Sequence, residues 1–342
     1  MGAILVVNAG STSLKLSIVR DDESTEPVAS LDAAAALEVD AVAHRVVHGG
    51  PHFAEPVVVD EAVRHAIHDL DSLAPLHNAP ALRGIEEAIS SRPDVPHVAV
   101  FDTAFHASIP PAASTYAIPR RWREEWGIRR YGFHGLSVQW AAERVPVSRL
   151  VVCHLGGGCS VTAVRDGRSV DTTMGFTPLE GVPMSTRSGS VDPGALLYLL
   201  REEELTVESL DHALNFDSGL TGLVGSGDMA ELDERAVRAD RDALLALDVF
   251  TYRVALAVAA MAVAAEGLDA LVFTAGIGER SASTRAHVCE RLGFLGVELD
   301  SEANSAAQPD VDVSTAASIV RVSVIGARED LVAARATRAL LH

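Results

Sequence analysis

Apolar runs separated by glycine-containing turns dominate the hydrophobic pattern of this chain, and one such unit occurs twice. Residues 4–7 and 14–19 flank a polar turn near the start, and residues 150–154 and 159–164 flank the turn Gly156–Gly158. Runs rich in β-branched residues on both sides of a bend predict a β-hairpin in each case. Glycine lets backbone N–H groups converge on one point, so the duplication predicts two similar domains facing one phosphate-bearing ligand. For either copy alone, an ordinary hairpin is the simpler interpretation.

Strands and helices alternate in the rest of the pattern. Further strands are predicted near 41–47 and at 97–101, 270–274 and 319–325, and helices at 60–73, 79–91, 191–203, 206–214, about 240–266 and 328–341. This alternation favours an α/β fold over a bundle or a sandwich. The longest apolar stretch, 254–265, is too short to span a bilayer and predicts a buried core helix, so no membrane association is expected.

Length and composition narrow the function classes. A chain of 342 residues predicts two domains, with a boundary near 143–149. A net charge of −19 argues against a general nucleic-acid binder, which needs a basic surface, but not against binding of one nucleotide. The three cysteines form no CxxC pair, and no basic leader precedes the first strand. We therefore expect a reduced, intracellular protein with structural cysteines.

A third glycine turn follows a predicted strand at residues 274–279. In α/β sheets, ligands bind outside the carboxyl ends of the strands, where this turn and the two hairpin turns would lie. The GxG pattern alone is a weak signal, since a tight strand–helix turn explains it equally well. The chain lacks the phosphate-loop pattern GxxxxGK, which disfavours a Walker-type NTPase.

Four polar side chains stand where core packing would not require them. Arg45 and Asp102 lie at the ends of predicted strands. His134 lies in a glycine-containing turn, and Arg187 lies in a loop of small residues. Each alone has a simple structural explanation, such as a surface ion pair, a helix cap or a turn histidine. Together they supply two cations, a carboxylate and an imidazole beside phosphate-binding turns, which is the set that phosphoryl transfer requires.

A series of motifs in a fixed order resembles the acetokinase family, part of the acetate and sugar kinase/Hsp70/actin superfamily. The motifs are NAGSTSLK at 8–15, HRVVHGG at 44–50, LAPLHNAPAL at 73–82, FDTAFH at 101–106, RYGFHGLS at 130–137, HLGGG at 154–158, SVDTTMGFTPLEG at 169–181, STRSGSVDP at 185–193, TAGIGER at 274–280 and GFLGVELD at 293–300. The resemblance implies two duplicated actin-like, ribonuclease H-like domains, each a mixed sheet flanked by helices, with a cleft between them. The expected domains are 1–146, completed by a helix at about 328–342, and 147–327.

The resemblance implies reversible, Mg²⁺-dependent transfer of the γ-phosphoryl group of ATP to acetate, giving acetyl phosphate and ADP. Asp102 would be the catalytic carboxylate, while His134 and Arg187 would stabilise the transition state. Arg45 would bind the substrate carboxylate. The implied pocket for the acyl methyl group consists of Val47, Leu76 and Pro193. Because acetate is already an anion, no general base is needed, and the difficulty is to bring two anions together.

The same resemblance implies the metal and nucleotide contacts. Asn8 and Glu329 would hold Mg²⁺, with Mn²⁺ as the alternative ion. The residues implied around ATP or ADP are Lys15, His154, Leu155, Gly156, Gly157, Gly158, Asp228, Met229, Ala230, Gly276, Ile277, Gly278, Glu279 and Arg280. The implied assembly is a cytoplasmic homodimer formed through the second domain.

Several positions depart from the family pattern, mostly on the nucleotide side. Gly157 and Ser185 stand where the family has Asn and Gly, and Ala230 replaces an Arg expected near the adenine. Arg280 and Arg328 replace Asn and would compensate for the lost cation. The connection after the first hairpin is also shorter than usual.

These departures keep three alternatives open. The phosphate donor would differ, for example diphosphate in place of ATP, or the substrate would be propionate or another short acyl chain. The alternative of a different class is an actin-like nucleotide-binding module without catalysis. Retention of Arg45, Asp102, His134 and Arg187 argues against it, because a pure binder has no use for all four.

Overall fold

The structure, a computed structural model, describes residues 2–9, 14–70, 78–201 and 205–342. It divides into two compact units. Unit 1 contains the residues up to Ala107, Ala117–Trp140 and Arg328–His342, and unit 2 contains Ser108–Tyr116 and Ala141–Ala327. The bend of the first hairpin at 10–13 and the predicted substrate residue Leu76 lie outside the described residues. The domain limits expected from the sequence stay predictions.

Unit 1 contains a mixed sheet whose described strands follow the order β3-β2-β1-β4-β6-β5. The strands are β1 Ala3–Ala9, β2 Leu14–Arg20, β3 Thr25–Val28, β4 Ala41–Val46, β5 Val57–Val58 and β6 His97–Phe101. The neighbours β1, β4 and β6 are parallel, while β2, β3 and β5 pair antiparallel. Both faces of the central strands are buried, which explains their nearly continuous apolar sequence.

Helices pack on this sheet through apolar side chains at helical spacing. The helices of the first part of the chain are α1 Leu31–Ala35, α2 Glu61–Asp69, α3 Asn78–Ser91, α4 Pro111–Ser114 in unit 2, α5 Arg120–Glu125 and α6 Gly135–Arg144. The start of α2 is fixed by Asp60, whose Oδ1 accepts a hydrogen bond from the Val63 N–H at 2.8 Å. Ile67 of α2 and Ile85 of α3 share a core with Phe101 of the sheet.

Unit 2 repeats the architecture of unit 1. Its described strands follow the order β11-β12-β10-β7-β8-β9. They are β7 Arg149–Leu155, β8 Cys159–Arg165, β9 Arg168–Thr172, β10 Ala270–Thr274, β11 Val311–Asp312 and β12 Arg321–Val324. In each unit an antiparallel hairpin is extended on one side by two parallel strands, and the last of these pairs with a short antiparallel strand. The predicted fold of duplicated mixed sheets flanked by helices is confirmed.

The remaining helices lie mostly in unit 2. They are α7 Pro193–Arg201, α8 Val207–Phe216, α9 Gly219–Val224, α10 Met229–Val237, α11 Arg241–Ala264, α12 Ala275–Arg280, α13 Ala282–Glu290 and α14 Ser301–Ala306, followed by α15 Glu329–Leu341 in unit 1. Short 3₁₀ helices occupy Ala104–Ser108 and Gly293–Leu295. Predicted and observed elements differ mainly at their ends: the strand expected at 319–325, for instance, is the shorter β12.

Helix α11 is longer than the apolar stretch that predicted it. At 24 residues it is the one helix in the described part of the chain that is long and apolar enough to cross a membrane. Its bounds agree with the helix predicted at about 240–266, although the whole helix, unlike the apolar stretch 254–265, is long enough to span a bilayer. Just under half of the most apolar 18-residue segment of α11 is buried in unit 2. The core helix of a soluble protein can have the same length and apolar composition. The helix packs on β7 and β8.

Two histidines of unit 1, His44 and His106, are buried and neutral at pH 7. His44 Nε2 lies 2.9 Å from His97 Nδ1, and His97 Nε2 lies 2.9 Å from the carbonyl oxygen of Arg92. Burial, reinforced by His97, lowers the pKa of His44 to about 3. Burial likewise lowers the pKa of His106 to about 4, although the Phe133 carbonyl and Asp102 oppose the shift.

These histidines should make the protein acid-sensitive. Below pH 6.5, the ordinary histidine pKa, these side chains bind protons in the unfolded chain, whereas in the folded chain they bind protons only below about pH 3 or 4. The free energy of unfolding therefore decreases as the pH is lowered from 6.5 toward 4. At pH 5 each histidine should lower the free energy of unfolding by about 2 kcal/mol. We expect His44→Gln to show a weaker pH dependence of the urea midpoint between pH 4.5 and 7.5 than the wild type. His65→Gln, at an exposed site, is the control. Equal pH dependence in all three proteins would contradict the argument.

Candidate functional site

Three parallel strands of unit 1 end at one edge of the sheet, and each brings a polar side chain there. Asn8 in β1 lies opposite Arg45 in β4, and Asp102 directly follows β6. Ligands bind at this edge in α/β sheets. Glu329, the first residue of α15, joins the group through Arg45. The structure thus brings together four of the predicted site residues.

Arg45 is the centre of this group. Its Nε donates to Asp102 Oδ1 at 2.8 Å and its Nη2 to Asp102 Oδ2 at 2.5 Å, a two-pronged pairing of guanidinium and carboxylate. Its Nη1 donates to Asn8 Oδ1 at 3.1 Å and lies 3.0 Å from Glu329 Oε2. One side chain therefore joins the first strand of the unit to its last helix.

Burial makes the Arg45–Asp102 pair energetically important. Asp102 is fully buried. Burial alone would lower the pKa of Arg45, but attraction to Asp102 and then Glu329 outweighs it and the pKa is raised. Removing one partner of a buried pair costs about 3–5 kcal/mol, because it leaves an uncompensated charge inside the protein. Arg45 is therefore a permanent cation at this edge.

Asn8 and Glu329 provide oxygen atoms of the kind that bind magnesium. Both direct an oxygen at the same nitrogen, Arg45 Nη1, so the two oxygens converge. Amide and carboxylate oxygens are the ligands that Mg²⁺ prefers, and it usually binds few protein groups together with water and phosphate. No cluster of three or more His, Cys, Asp or Glu side chains suited to a metal occurs among the described residues. The assignment of these two residues as metal ligands stays a prediction.

His134 lies beside Asp102 in a strained backbone conformation. Its φ of 61° is in the left-handed region, which costs a non-glycine residue of order 1–3 kcal/mol. The next residue, Gly135, donates its N–H to the Asp102 carbonyl oxygen at 2.9 Å. A Cβ atom on Gly135 would lie 2.1 Å from that oxygen, so only glycine fits. The strained turn therefore depends on close contact with the segment that carries Asp102.

Two residues predicted to line the pocket for the acyl group belong to different units. Val47 is buried just beyond β4 in unit 1, whereas Pro193 is the exposed first residue of α7 in unit 2. Lys15, predicted to contact nucleotide, is exposed on β2 opposite Asn8.

A buried asparagine of unit 1 was not predicted from the sequence. Asn78 is fully buried, and its amide clamps the backbone of His48: Nδ2 donates to the His48 carbonyl oxygen at 3.0 Å, and Oδ1 accepts from the His48 N–H at 3.1 Å. The imidazole of His48 packs edge-on against Tyr131 and Phe133. The only sequence signal was the asparagine in LAPLHNAPAL, which reads as an ordinary loop residue.

In unit 2, two of the predicted glycine turns lie side by side. The turn after β7 and the turn after β10 follow neighbouring parallel strands, with His154 opposite Thr274. A Cβ atom on Gly156 would lie 3.7 Å from the Gly276 nitrogen, so the turns are nearly in contact. Ala275, between them, has a φ of 64°, a second strained residue at a predicted site.

A pocket of about 350 Å³ opens above these turns. It is lined by Gly156, Gly157, Ser185, Gly227, Asp228, Met229, Ala230, Asp233, Gly276, Ile277, Arg280 and Ser281. Three separate segments predicted to surround a nucleotide, those around 156, 228 and 276, thus share one cavity. Ser185, Asp233 and Ser281 are additions that the motifs did not indicate as nucleotide contacts.

Several predicted nucleotide residues also have structural partners. Asp228 caps α10, with Oδ1 accepting from the Ala230 N–H at 2.9 Å. Arg280 folds back on its own helix, where Nε donates to the Gly276 carbonyl oxygen at 3.1 Å. The Glu279 carboxylate accepts from the Ala327 N–H at 2.9 Å. Arg328, expected to compensate for a lost cation at the nucleotide, instead donates to Thr25 Oγ1 at 2.7 Å within unit 1.

Arg187 lies on a turn that is held from both sides. Its Nη1 donates to the Pro178 carbonyl oxygen at 3.3 Å. Burial lowers the pKa of Arg187, against the opposing effect of the Cys159 thiol. The turn's backbone is bonded to the start of α9, where the Leu220 N–H donates to the Met184 carbonyl oxygen at 2.9 Å.

Gly219 makes this close packing feasible. Its φ is +60°, and a Cβ atom there would lie 2.1 Å from the Met184 oxygen and 2.6 Å from the Arg187 oxygen. Arg187 is thus presented by a rigid backbone rather than by a free loop.

The chain was compared with known proteins. The sequence pattern described as "Acetokinase family" matches residues 31–335. A curated relative, acetate kinase of Nostoc punctiforme, is 50% identical over 302 residues, which are 86% of this chain and 74% of the relative. The chain belongs to the acetokinase family.

Solved structures of acetokinase-family enzymes agree with this membership. A propionate kinase from Francisella tularensis superimposes with a TM-score of 0.91 at 35% identity, covering 98% of this chain and 99% of that one. The acetate kinase of Porphyromonas gingivalis gives a TM-score of 0.88 at 31% identity over the full length of both chains. Acetokinase-family proteins of both names therefore share this fold throughout.

The contact between Gly135 and Asp102 can be tested by adding one methyl group. We expect Gly135→Ala to lower the midpoint of thermal unfolding, because overpacking against backbone costs about 1–3 kcal/mol, and to reduce turnover by displacing His134. Gly293→Ala is the matched control, because a Cβ atom there meets nothing within 4 Å. Wild-type stability and turnover in Gly135→Ala would show that the contact is unimportant.

Proposed function

We propose that this protein is an acetate kinase that transfers the γ-phosphoryl group of ATP to acetate, reversibly and with Mg²⁺. The observation that carries the proposal is the convergence of Asn8, Arg45, Asp102 and Glu329 at the carboxyl ends of the unit 1 strands. A permanent guanidinium there can bind a carboxylate substrate. Membership in the acetokinase family supports the same conclusion.

The chemistry follows from the charges of the reactants. A carboxylate oxygen of acetate attacks the γ-phosphorus, the bond to the ADP oxygen breaks, and ADP leaves with those electrons. Because acetate is ionised at neutral pH, Asp102 need not act as a base, and its two hydrogen bonds orient Arg45. In the proposed mechanism His134 and Arg187 neutralise charge on the phosphoryl oxygens in the transition state.

Asn8 and Glu329 would hold the magnesium ion, with Mn²⁺ as the alternative. When bound, the ion would neutralise charge on the donor phosphates. Both oxygens already face the Arg45 guanidinium, so the cation-binding character of this point is built into unit 1.

The pocket of unit 2 supports a nucleotide rather than diphosphate as the donor. The glycine turns at 156 and 276 would hold phosphate groups, and the cavity extends past them to Met229 and Ala230. Diphosphate would leave that part of the cavity empty. ATP is therefore the proposed donor, in spite of the arginine missing at position 230.

Propionate is the second candidate substrate, because a similar structure is that of a propionate kinase. An apolar pocket distinguishes one methylene group by only about 1–3 kcal/mol, so Val47 alone does not decide the substrate. Comparing kcat/KM for acetate and propionate in the same preparation separates the two candidates.

The proposed assembly is a homodimer through unit 2, located in the cytoplasm. Large apolar side chains of unit 2 that are at least half exposed support the dimer, among them Leu197 and Tyr198 of α7 and Leu245 and Val263 of α11. Three free, buried cysteines are consistent with a reducing compartment.

The reaction is tested by trapping acetyl phosphate as its hydroxamate. We expect product from the wild type with acetate, ATP and Mg²⁺, and a loss of roughly 10²–10³ in kcat for Arg187→Ala, the range observed when one transition-state donor is removed. Arg238→Ala, at an exposed helix site, controls for loss of an arginine. No product from acetate or propionate with any phosphate donor would overturn the proposal. Unchanged turnover in Arg187→Ala would contradict the role of Arg187 in the transition state, and ATP binding by a wild type that forms no product would favour the non-catalytic nucleotide-binding module.

A further inference from the structure

Unit 2 contains a buried arginine that no motif predicted. Arg285 of α13 is only 1% exposed and is the largest fully buried side chain among the described residues. Its Nη1 donates to the carbonyl oxygens of Gly278 and Glu279 at 2.9 and 2.8 Å. Its Nε and Nη2 donate to the side-chain and backbone oxygens of Asn304, at 2.7 and 2.8 Å. The guanidinium thus ties α12 to α14.

All four acceptors of Arg285 are uncharged. Buried arginines are normally paired with carboxylates, because an isolated charge is costly to bury. No carboxylate contacts this guanidinium among the residues that the structure describes. Burial lowers the pKa of Arg285, yet an arginine remains charged at neutral pH. Unit 2 therefore holds a positive charge in its interior without a neutralising partner.

This charge is bonded to the helix that lines the pocket. Gly278 and Glu279 belong to α12, the same short helix whose Gly276 and Ile277 line the cavity. Arg285 bonds to carbonyl oxygens in the second half of α12, between the cavity-lining residues Ile277 and Arg280. A charge in a buried, weakly screened position acts on groups that it does not touch.

We propose that Arg285 is a positioning residue of the donor site, which fixes α12 and attracts the phosphate groups of the donor through its unneutralised charge. This rests on the proposed function only in taking the pocket to be the donor site. The proposal also explains why the acceptors are neutral: a carboxylate partner would stabilise the arginine but cancel its field at the pocket.

Variants at Asn304 separate the electrostatic effect of Arg285 from its structural role in holding α12 and α14. Its Nδ2 donates to the Ala282 carbonyl oxygen at 2.9 Å, and this bond is lost in both Asn304→Asp and Asn304→Ala. The aspartate retains an acceptor for Arg285 Nε and neutralises the charge, whereas the alanine removes the acceptor and leaves the charge. If the role of Arg285 is purely structural, Asn304→Ala should weaken ATP binding more than Asn304→Asp. If the role is electrostatic, Asn304→Asp should weaken ATP binding more.

The experiment measures the dissociation constant of ATP by calorimetry, together with KM for ATP and for acetate. We expect Asn304→Asp to weaken ATP binding about tenfold and Asn304→Ala about threefold or less, with KM for acetate within about twofold of wild type in both. Ser305→Asp adds the same charge at an exposed position of the same helix and should leave ATP binding unchanged. Weaker ATP binding in Asn304→Ala than in Asn304→Asp, or an equal loss in Ser305→Asp, would overturn the proposal.

A second pair of variants decides the question if the Asn304 variants do not fold. Arg285→Lys keeps the charge, whereas Arg285→Met removes it. ATP binding in the lysine variant should stay closer to wild type, and equal loss in both would contradict the electrostatic role. Because ATP binding is measured directly, the outcome does not depend on phosphoryl transfer. A wild type that binds ATP but forms no acetyl phosphate would refute the proposed reaction alone.

Discussion

The buried pair of Arg45 and Asp102 is the interaction on which unit 1 depends. A fully buried carboxylate is tolerated only with a partner that offsets its lost hydration, and the forked hydrogen bonds of Arg45 provide that partner. The same guanidinium also holds Asn8 and Glu329, so residues more than three hundred positions apart in the chain meet at one group. The stability of unit 1 and the proposed recognition of the substrate therefore rest on the same side chain.

The two units use positive charge in opposite ways. In unit 1 the central arginine is paired with two carboxylates, which balance its charge locally. In unit 2 the buried Arg285 has only carbonyl and amide acceptors, so its charge remains available to a polyanionic donor. A chain with a net charge of −19 needs such local cations to attract phosphate at all.

The sequence predicted the parts of the site that lie at the ends of buried strands. Arg45 and Asp102 interrupt apolar runs, and parallel register brings them to one edge of the sheet together with Asn8, whose role only the family resemblance implied. Glu329 was likewise assigned only through the family resemblance, because nothing in a helix start marks it as a site residue. The duplicated hairpin likewise predicted the repeated sheet, which the structure confirms.

Residues whose role depends on tertiary contacts could not be read from the pattern. Asn78 looks like a loop residue, and Arg285 lies in a helix whose polar composition suggests exposure, yet both are buried. Arg328 was expected to replace a cation near the nucleotide. Its guanidinium donates to Thr25 in unit 1, a contact that the sequence pattern does not indicate. In each case the contact depends on how separate elements pack, which neither spacing nor propensity reveals.

The most direct test of the account is a double-mutant cycle on the central pair. The free energies of unfolding of Arg45→Met, Asp102→Asn and the double variant would be measured by urea denaturation, following a probe in unit 1. The account predicts that each single change destabilises unit 1 strongly and that the two are coupled by about 2 kcal/mol or more, since the double change leaves neither member of this pair as an uncompensated buried charge. Additivity within about 0.5 kcal/mol would show that the pair does not organise the site.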